Sequence, residues 1–328
     1  MPEAMPASTQ LLVQRLDTPQ ERCHELAAGL LERPAHIAPK FFYDTQGSAL
    51  YEAICALDEY YLPRIEAAVF DAHRREIAAA LPRQPQLVDL GCGDGAKAGR
   101  WIEALDVRRY LGVDIAEPWL RTTLERGRRR FPRVQFDGVV TDFTRGLDLH
   151  AALEPGAPCV FFYPGSSIGN FTPAQATRLL RDIRRHLQPA DRLLITADAP
   201  KAREPLLAAY DDALGVTAAF NRNVLRVANR ELGCDFDTKA FEHRALFNED
   251  HGRIEMHLVA RRALSVSLGG GEKRRFDAGE AIVTEYWYKH DATRFMQLLA
   301  EAGFGDVRHW SDAQQWYGVY VAGPGAST

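Results

Sequence analysis

The sequence predicts an α/β fold, a wound parallel sheet with helices on both faces, joined to a second domain of mixed α+β structure. Three observations predict it. From residue 86 to residue 200, short apolar runs typical of strands alternate with helical segments, and this order favours a parallel sheet. Residues 201–232 then show only helical patterns. Residues 243–286 show alternating apolar positions, as in "RIEMHLVARRALSVSL", which is typical of strands.

The N-terminal segment is predicted to be helical. Residues 11–32 show a helical pattern, and a second and a third helix are predicted in the aromatic-rich run "KFFYDTQGSALYEAICALDEYYLPRIEAAVF". Pro63 marks a boundary after "DEYYL", and residues 65–81 predict the next helix.

Strands and helices then alternate. The strands are predicted in "QLVDLGCGDG", "RYLGVDIA", "VQFDGVVTDF", "PCVFFYPGSS" and "DRLLITADAP". The helices between them are predicted in "AKAGRWIEAL", "PWLRTTLERGRRRF" and "TPAQATRLLRDIRRHLQP". The apolar residues of the last helix lie three or four positions apart, which places them on one face.

The final predicted elements are a helix, "DATRFMQLLAEAGF", and a strand, "WYGVYVAGP", which close the α/β unit. A length of 328 residues is comfortable for two domains. We expect a wound domain of residues 65–200 plus 289–328. The second domain is expected to consist of residues 11–64 plus 201–288.

Composition narrows the classes of function. Basic and acidic residues nearly balance, at 40 and 44, which argues against a nucleic-acid partner. The basic run "RGRRR" is interpreted as a solvated helix face. Five cysteines without C-x-x-C spacing suggest no disulfide framework, and the ten histidines form no metal-binding motif, so no metal is predicted. Without a signal-peptide pattern or a long apolar run, we expect a cytoplasmic protein with no membrane partner.

A cofactor site is predicted where the first strand of the sheet meets its helix. In "LVDLGCGDGAKAG", Gly91, Gly93 and Gly95 let the backbone turn sharply and approach a ligand closely. The same pattern fits a dinucleotide site or a tight turn without a ligand, so alone it is a weak signal. Asp89 precedes the glycines and is expected to orient their loop.

Two more acidic residues follow at strand ends, Asp114 in "LGVDIA" and Asp142 in "VVTDF". Ligands of open α/β sheets bind at this edge, where Asp114 can accept hydrogen bonds from ribose hydroxyls and Asp142 from an adenine amino group. S-adenosylmethionine carries a sulfonium cation and no phosphate, so neighbouring carboxylates favour it over NAD.

The run "YPGSSIGNFTP", at residues 163–173, also suggests a binding loop. It carries two glycines, two serines and Asn170 between a buried strand and the next helix, where a plain connection needs only a cap. Thr172 and Pro173 supply that cap. The glycines keep the loop thin, and Asn170 offers a donor and an acceptor.

Several longer motifs resemble a known family, the amino-acid α-N-methyltransferases that trimethylate histidine to hercynine in ergothioneine biosynthesis. The resemblance covers nearly the whole chain and is carried by "FFYDTQGSALYEAI", "DEYYLPR", "LGCGDGAK", "GVDIAE", "GSSIGNFTP", "AAYDDALGVTAAFNRNVLRVANRELGCDFD", "IEMHL" and "TEYWYKH". It implies a Rossmann-like S-adenosylmethionine-dependent methyltransferase domain with a second, substrate-binding domain. It also implies a small amino-acid substrate, and we expect a monomer.

The resemblance also implies the residues of both sites. The S-adenosylmethionine site would be formed by Gly91, Gly93, Lys97, Asp114, Asp142 and Phe143. The amino-acid site would be formed by Tyr43, Tyr60, Asn170, Tyr210, Glu285 and Trp287. Within it, Asn170 and Tyr210 would hold the carboxylate and amine, Tyr43 would contact the amine as it is methylated, and Glu285 would face the imidazole. Tyr43 and Asn170 are therefore the predicted catalytic residues.

One position departs from the family pattern. The family commonly has Thr-Glu-x-Ser here, and its serine also helps hold the imidazole, whereas this chain has Trp287. Either the indole shifts outward and leaves histidine recognition to Glu285, or the pocket accepts another amino acid such as tryptophan or tyrosine. An NAD-dependent oxidoreductase, a non-catalytic S-adenosylmethionine-binding module and a methyltransferase of larger substrates are the competing classes.

Overall fold

The computed structural model describes residues 10–14, 17–269 and 271–325. The strands, in chain order, are β1 (Leu11–Val13), β2 (Ala35–His36), β3 (Gln86–Leu90), β4 (Arg109–Asp114), β5 (Gln135–Val140), β6 (Cys159–Tyr163), β7 (Arg192–Asp198), β8 (Phe241–Asn248), β9 (Arg253–Ala260), β10 (Leu264–Ser267), β11 (Lys273–Phe276), β12 (Ala281–Tyr288), β13 (Phe304–Ser311) and β14 (Tyr317–Pro324).

The α-helices lie in the connections between strands. They are α1 (Pro19–Leu31), α2 (Thr45–Cys55), α3 (Leu62–Ala72), α4 (Arg74–Ala79), α5 (Ala96–Leu105), α6 (Glu117–Arg130), α7 (Pro173–His186), α8 (Arg203–Tyr210), α9 (Val216–Leu232) and α10 (Ala292–Glu301). No helix of the described residues is both long enough and apolar enough to cross a bilayer.

The larger sheet confirms the predicted α/β fold. Its strand order is β1-β5-β4-β3-β6-β7-β14-β13. Strands β3 to β7 and β1 run parallel, while β14 and β13 are antiparallel additions at one edge. From β3 the chain winds outward through β4 and β5, and then returns to β6 on the other side of β3. Ligands of such sheets bind at this reversal, beyond the carboxyl ends of the strands.

A smaller sheet has the order β2-β12-β9-β8, and β10 and β11 form a separate pair. Its core contains Phe41, Phe42, Phe220, Phe241 and Met256, all buried. Helix α9 packs on α2 and on β8. The exact division into two domains stays a prediction. Residues 11–13, which were predicted to belong to the second domain, differ from it, because β1 pairs with β5 of the larger sheet.

The structure differs from the predicted elements in three places. Residues 11–32 do not form one helix, because Leu11–Val13 pairs with Gly138–Val140 and α1 begins only after Thr18, which forms a capping box with Glu21. The helix predicted over 65–81 is interrupted at His73. Strand β13, which was not predicted, pairs with β14. The first and third differences depend on a long-range pairing or a local cap that apolar periodicity does not reveal.

A buried carboxylate joins the elements around the strand reversal. Glu66 on α3 is 2% exposed. Its Oε1 accepts hydrogen bonds from the Gly165 amide (2.5 Å), Thr196 Oγ1 (2.9 Å) and Tyr317 Oη (2.7 Å). Its Oε2 lies 2.6 Å from Lys97 Nζ. Burial alone would raise the pKa of Glu66, but Lys97 and these hydrogen bonds outweigh it and hold the pKa below its usual value.

We expect Glu66→Gln to lower the free energy of unfolding by about 2–4 kcal/mol at pH 7, because it removes the charge that holds Lys97 and weakens its hydrogen bonds. The folded pKa lies below the unfolded value, so this stabilisation is present above the unfolded pKa and is lost as the pH falls through the folded pKa. Denaturant unfolding at pH 7 and pH 4 measures both effects. Glu103→Gln, on an exposed face of α5, should change stability by less than about 0.5 kcal/mol, and an equal loss in both variants would contradict the role of Glu66.

Candidate active site

The glycine loop after β3 has the backbone that the sequence predicts. Gly91, Gly93 and Gly95 all have positive φ, at 65°, 52° and 70°, in the left-handed region that favours glycine. A Cβ on Gly95 would lie 2.9 Å from Thr123 Cγ2, so a side chain there would collide with α6. Nothing lies within 4 Å of the corresponding position on Gly93, which leaves backbone open to a ligand.

Asp114 anchors this loop from the carboxyl end of β4. Its Oδ2 accepts from the Gly93 amide (3.1 Å) and its Oδ1 from the Ala116 amide (3.0 Å). Burial raises the pKa of Asp114, while the backbone amides oppose the shift. An ionised carboxylate accepts about four hydrogen bonds, so Asp114 keeps acceptor capacity for ligand hydroxyls. Asp89 instead faces Tyr110, whose hydroxyl donates to it at 2.8 Å, and burial raises its pKa to about 7.

Asp142 and Phe143 follow β5 at the same sheet edge. Asp142 caps the turn at Phe143–Arg145, accepting from the Thr144 amide and hydroxyl, and its Oδ2 lies 3.2 Å from Lys40 Nζ. Phe143 approaches the glycine loop, with its ring 3.9 Å from a Cβ built on Gly91. The predicted cofactor residues therefore lie together at the carboxyl edge of the larger sheet, beside a space that we call the cofactor cleft, but the Asp142 carboxylate is already engaged by neighbours that the sequence did not indicate.

Lys97 faces the loop that follows β6. Its Nζ, paired with Glu66, lies 2.9 Å from a Cβ built on Gly165. Gly165 and Ser166 both have positive φ, and a 3-10 turn at Ser167–Asn170 follows. A Cβ on Gly169 would lie 2.7 Å from Trp287 Cδ1. The loop is thin, as predicted, because a Cβ on either Gly165 or Gly169 would collide with a neighbouring side chain.

Five of the six predicted amino-acid residues, all except Asn170, line an aromatic cavity whose empty space, counted with the solvent at its mouth, is about 300 Å³. It is lined by Tyr43, Tyr51, Ile54, Tyr60, Ala209, Tyr210, Thr217, Phe220, Met256, Glu285 and Trp287. Six of these lining residues were not predicted: Tyr51, Ile54, Ala209, Thr217, Phe220 and Met256. All six lie within the motifs that carry the resemblance, so these motifs could have indicated them.

Asn170 hydrogen-bonds Glu285 and so links the loop after β6 to the cavity. Its Oδ1 is buried and has no hydrogen-bond partner among the described residues. A buried acceptor without a partner is costly. A ligand that supplies an N–H group here would therefore bind favourably.

Glu285 is 5% exposed, and burial raises its pKa to about 8 against the opposing effects of Lys289 and Asn170. Burial also raises the pKa values of Tyr43, Tyr60 and Tyr210. At neutral pH, these three hydroxyls stay protonated and act as hydrogen-bond donors, while Glu285 is largely neutral.

Tyr43 lies between the cavity and the cofactor cleft. It also lines a second pocket, of about 340 Å³, whose wall includes Ile115 and Ala116, the residues directly after Asp114. The acidic groups of Glu285 and Asp114, when ionised, add to the effect of burial in raising the pKa of Tyr43. A group bound in the cavity and a group bound at the glycine loop would meet beside this tyrosine.

Trp287 does not point outward. It is 4% exposed, and its ring lies 5.7 Å from that of Tyr210 and against Gly169. Its Nε1 is buried without a partner among the described residues. The indole therefore fills part of the cavity wall, and its edge is accommodated by the absence of a Cβ at position 169.

One group of possible metal ligands lies away from this site. Asp148, His150 and His186 place ligand atoms within 4.8 Å of one another. Asp148 and His150 are exposed, and the group lies near the amino ends of β6 and β7. It is unconnected to the glycine loop and the aromatic cavity, which lie at the carboxyl ends.

The chain is similar to characterised methyltransferases over most of its length. The family model described as "Histidine-specific methyltransferase, SAM-dependent" matches residues 23–324. A histidine N-alpha-methyltransferase of Mycolicibacterium smegmatis is 39% identical over 303 residues, covering 91% of this chain and 93% of that protein. Its counterpart in Mycobacterium tuberculosis is 37% identical with the same coverage. Ergothioneine biosynthesis protein 1 of Schizosaccharomyces pombe is 28% identical over 291 residues, covering 85% of this chain and 38% of that protein.

We expect Glu285→Gln to stabilise the ligand-free protein increasingly as the pH rises. The pKa of Glu285 is higher in the folded protein than its ordinary value of 4.5, so its contribution to stability is fully present below the unfolded pKa and is lost as the pH rises towards 8. The amide does not titrate. The difference in unfolding free energy between variant and wild type should grow between pH 5 and pH 8, by at most about 1.4 kcal/mol per pH unit.

Denaturant unfolding at pH 5, 6, 7 and 8 measures this difference. Glu272→Gln, at an exposed turn of the same region, is the control and should give a difference that does not vary with pH. A pH-independent difference for Glu285→Gln as well would show that this carboxyl is solvated.

Proposed function

This chain belongs to the family of histidine-specific, S-adenosylmethionine-dependent methyltransferases, and we propose that it methylates the α-amino group of L-histidine. The product would be N,N,N-trimethylhistidine, or hercynine, in the first step of ergothioneine biosynthesis. The observation that carries the proposal is the buried Glu285 carboxyl, which lines the aromatic cavity and interacts with Asn170 of the loop after β6.

The residues of the cleft fit S-adenosylmethionine, the methyl donor of this family. Gly93 offers backbone without a side chain in the way, and Asp114 offers free acceptor sites to ribose hydroxyls. Lys97, the cation nearest the loop in sequence, is paired with Glu66 and so is not free for a pyrophosphate. When bound, S-adenosylmethionine supplies an electrophilic methyl group on a sulfonium cation.

The cavity residues can hold an amino acid by its polar groups. Tyr60 and Tyr210 keep their protons because burial raises their pKa values, so they can donate to the α-carboxylate. The partnerless Oδ1 of Asn170 can accept from the α-amine. Glu285, whose pKa is about 8, can donate to a neutral imidazole or accept from it.

Aromatic rings line the place where the amine would be methylated. The rings of Tyr43, Tyr51 and Phe220 lie 5.9–6.2 Å apart from one another. Their faces can stabilise an ammonium that gains methyl groups. Tyr43 stays protonated at neutral pH, so in this protein it orients the amine as a hydrogen-bonding group. Holding the amine near the methyl group in line with the sulfur is the main contribution required of the protein.

Trp287 favours a small substrate side chain. Because the indole is buried inside the cavity wall, it reduces the space for a tryptophan or tyrosine substrate more than for histidine. Recognition of the imidazole would then rest on Glu285.

A methyl-transfer assay with S-adenosylmethionine and each of the twenty amino acids, read by product mass, tests the proposal. We expect histidine to gain three methyl groups. Preference for a different amino acid would show that Trp287 has changed specificity while the chemistry is kept. Binding of S-adenosylhomocysteine without turnover of any amino acid would contradict the proposal and favour a non-catalytic module.

We expect Asn170→Ala to raise KM for histidine by about 10-fold or more and KM for S-adenosylmethionine by less than about 3-fold. The variant removes a hydrogen-bonding group aimed at the charged ends of the amino acid. Steady-state kinetics with each substrate varied in turn measures both constants.

Asn229→Ala is the matched control for this prediction. The Asn229 side chain donates to the Phe236 carbonyl and accepts from the Phe236 amide. The loss of the Asn229 side chain should therefore lower stability without altering either KM. Equal increases of the two constants in Asn170→Ala would contradict the role assigned to Asn170.

A further inference from the structure

A buried lysine lies directly behind the aromatic cavity. Lys289 follows β12, four residues after Glu285, and its side chain is fully buried. Its Nζ lies 2.8 Å from Asp198 Oδ2 and 3.0 Å from Tyr210 Oη. It also lies 4.8 Å and 5.5 Å from the ring centres of Tyr210 and Trp287. A cation in this position contacts the cavity wall from the side opposite the substrate.

Lys289 is not needed merely to balance the charge of Asp198. That carboxylate is fully buried at the end of β7, and Lys201 Nζ lies 2.5 Å from its Oδ1. Tyr61 Oη also donates to Oδ2 at 2.7 Å. Burying an ammonium is costly, so a second lysine against one already paired carboxylate calls for another role. Among the described residues, its other hydrogen bond is to Tyr210 Oη, and its charge also acts on Glu285.

The contact between Lys289 and Tyr210 has a fixed direction. An ammonium group can donate hydrogen bonds but cannot accept them. The Tyr210 oxygen must therefore accept from Lys289, and its own proton must point elsewhere. No acceptor for that proton is found within residues 17–269 or 271–325. Tyr210 lines the cavity, so its proton is available to a ligand there.

We propose that Lys289 is a positioning residue, which orients the Tyr210 hydroxyl as a donor to the α-carboxylate of the bound amino acid. A donor that is already polarised by an ammonium and held in one direction binds a carboxylate better than a freely rotating hydroxyl. The inference rests on the proposed function, because it requires an amino acid in the cavity, but it does not depend on which amino acid is bound.

A double-mutant cycle tests this inference. We expect Lys289→Met to raise KM for histidine by about 10-fold, with little change in KM for S-adenosylmethionine. Tyr210→Phe should have a similar effect. In the Tyr210→Phe background, Lys289→Met should raise KM no further, because the hydroxyl through which it acts is already absent. Multiplicative effects in the double variant would overturn the inference.

Lys201→Met is the matched control. It removes a cation from the same Asp198 carboxylate without contacting Tyr210, so it should lower stability while KM for histidine changes by less than about 3-fold. A loss equal to that of Lys289→Met would indicate a general structural effect and contradict the inference. If Lys289→Met does not fold, Lys289→Met combined with Asp198→Asn and Lys201→Met removes all three buried charges, and the same cycle is measured in that protein.

Histamine, which is histidine without the carboxylate, separates this inference from the proposed function. Calorimetric titration in the presence of S-adenosylhomocysteine should show weaker histidine binding to Lys289→Met and unchanged histamine binding. Equal weakening of both ligands would overturn the inference and leave the proposed function intact. A wild-type protein that binds no amino acid would overturn both.

Discussion

The carboxylate of Glu66 is the interaction on which the architecture of the site depends. Its buried oxygens form hydrogen bonds and an ion pair with groups from α5, β7, β14 and the loop after β6, all at the carboxyl edge of the larger sheet. Three of these contacts are hydrogen bonds to one oxygen, and the fourth is an ion pair that keeps the carboxyl charged. Without such a centre, the cofactor loop and the loop after β6 would have no common support, because neither is part of the sheet ladder.

The loop after β6 connects the contacts of Glu66 to the amino-acid cavity. Gly165 lies against Lys97 on the cofactor side, while Gly169 lies against Trp287 on the cavity side. Asn170, directly after Gly169, reaches Glu285 on β12. A segment of six residues therefore contacts both binding regions, and a shift of its backbone would alter both at once. This explains why a simple strand-to-helix connection needs two glycines and an asparagine.

Local sequence signals predicted the parallel sheet, the glycine loop and the acidic residues at strand ends. The alternation of strand and helix patterns, the glycines that permit a positive φ, and the ends of apolar runs can each be recognised within short segments of the sequence. Long-range pairings were not accessible in the same way. The ion pair between Lys40 and Asp142 joins residues 102 positions apart, and that between Lys289 and Asp198 joins two sheets. Strand β1 depends likewise on β5. The motifs indicated that Glu285 and Trp287 are near a substrate, but whether the indole points outward or inward is decided by packing against Gly169.

The charges around Tyr43 suit a reaction that moves a positive charge without creating one. Methyl transfer from a sulfonium to a neutral amine begins with a cation at sulfur and ends with a cation at nitrogen. The Asp114 carboxylate disfavours a negative charge on Tyr43 and favours a cation on the cofactor side. Glu285 is largely neutral at neutral pH, so on the amine side the rings of Tyr51 and Phe220, which pack against Tyr43, stabilise the cation. The site is therefore suited to a positive charge at both ends of the transfer, and this requires orientation from the protein more than a strong base.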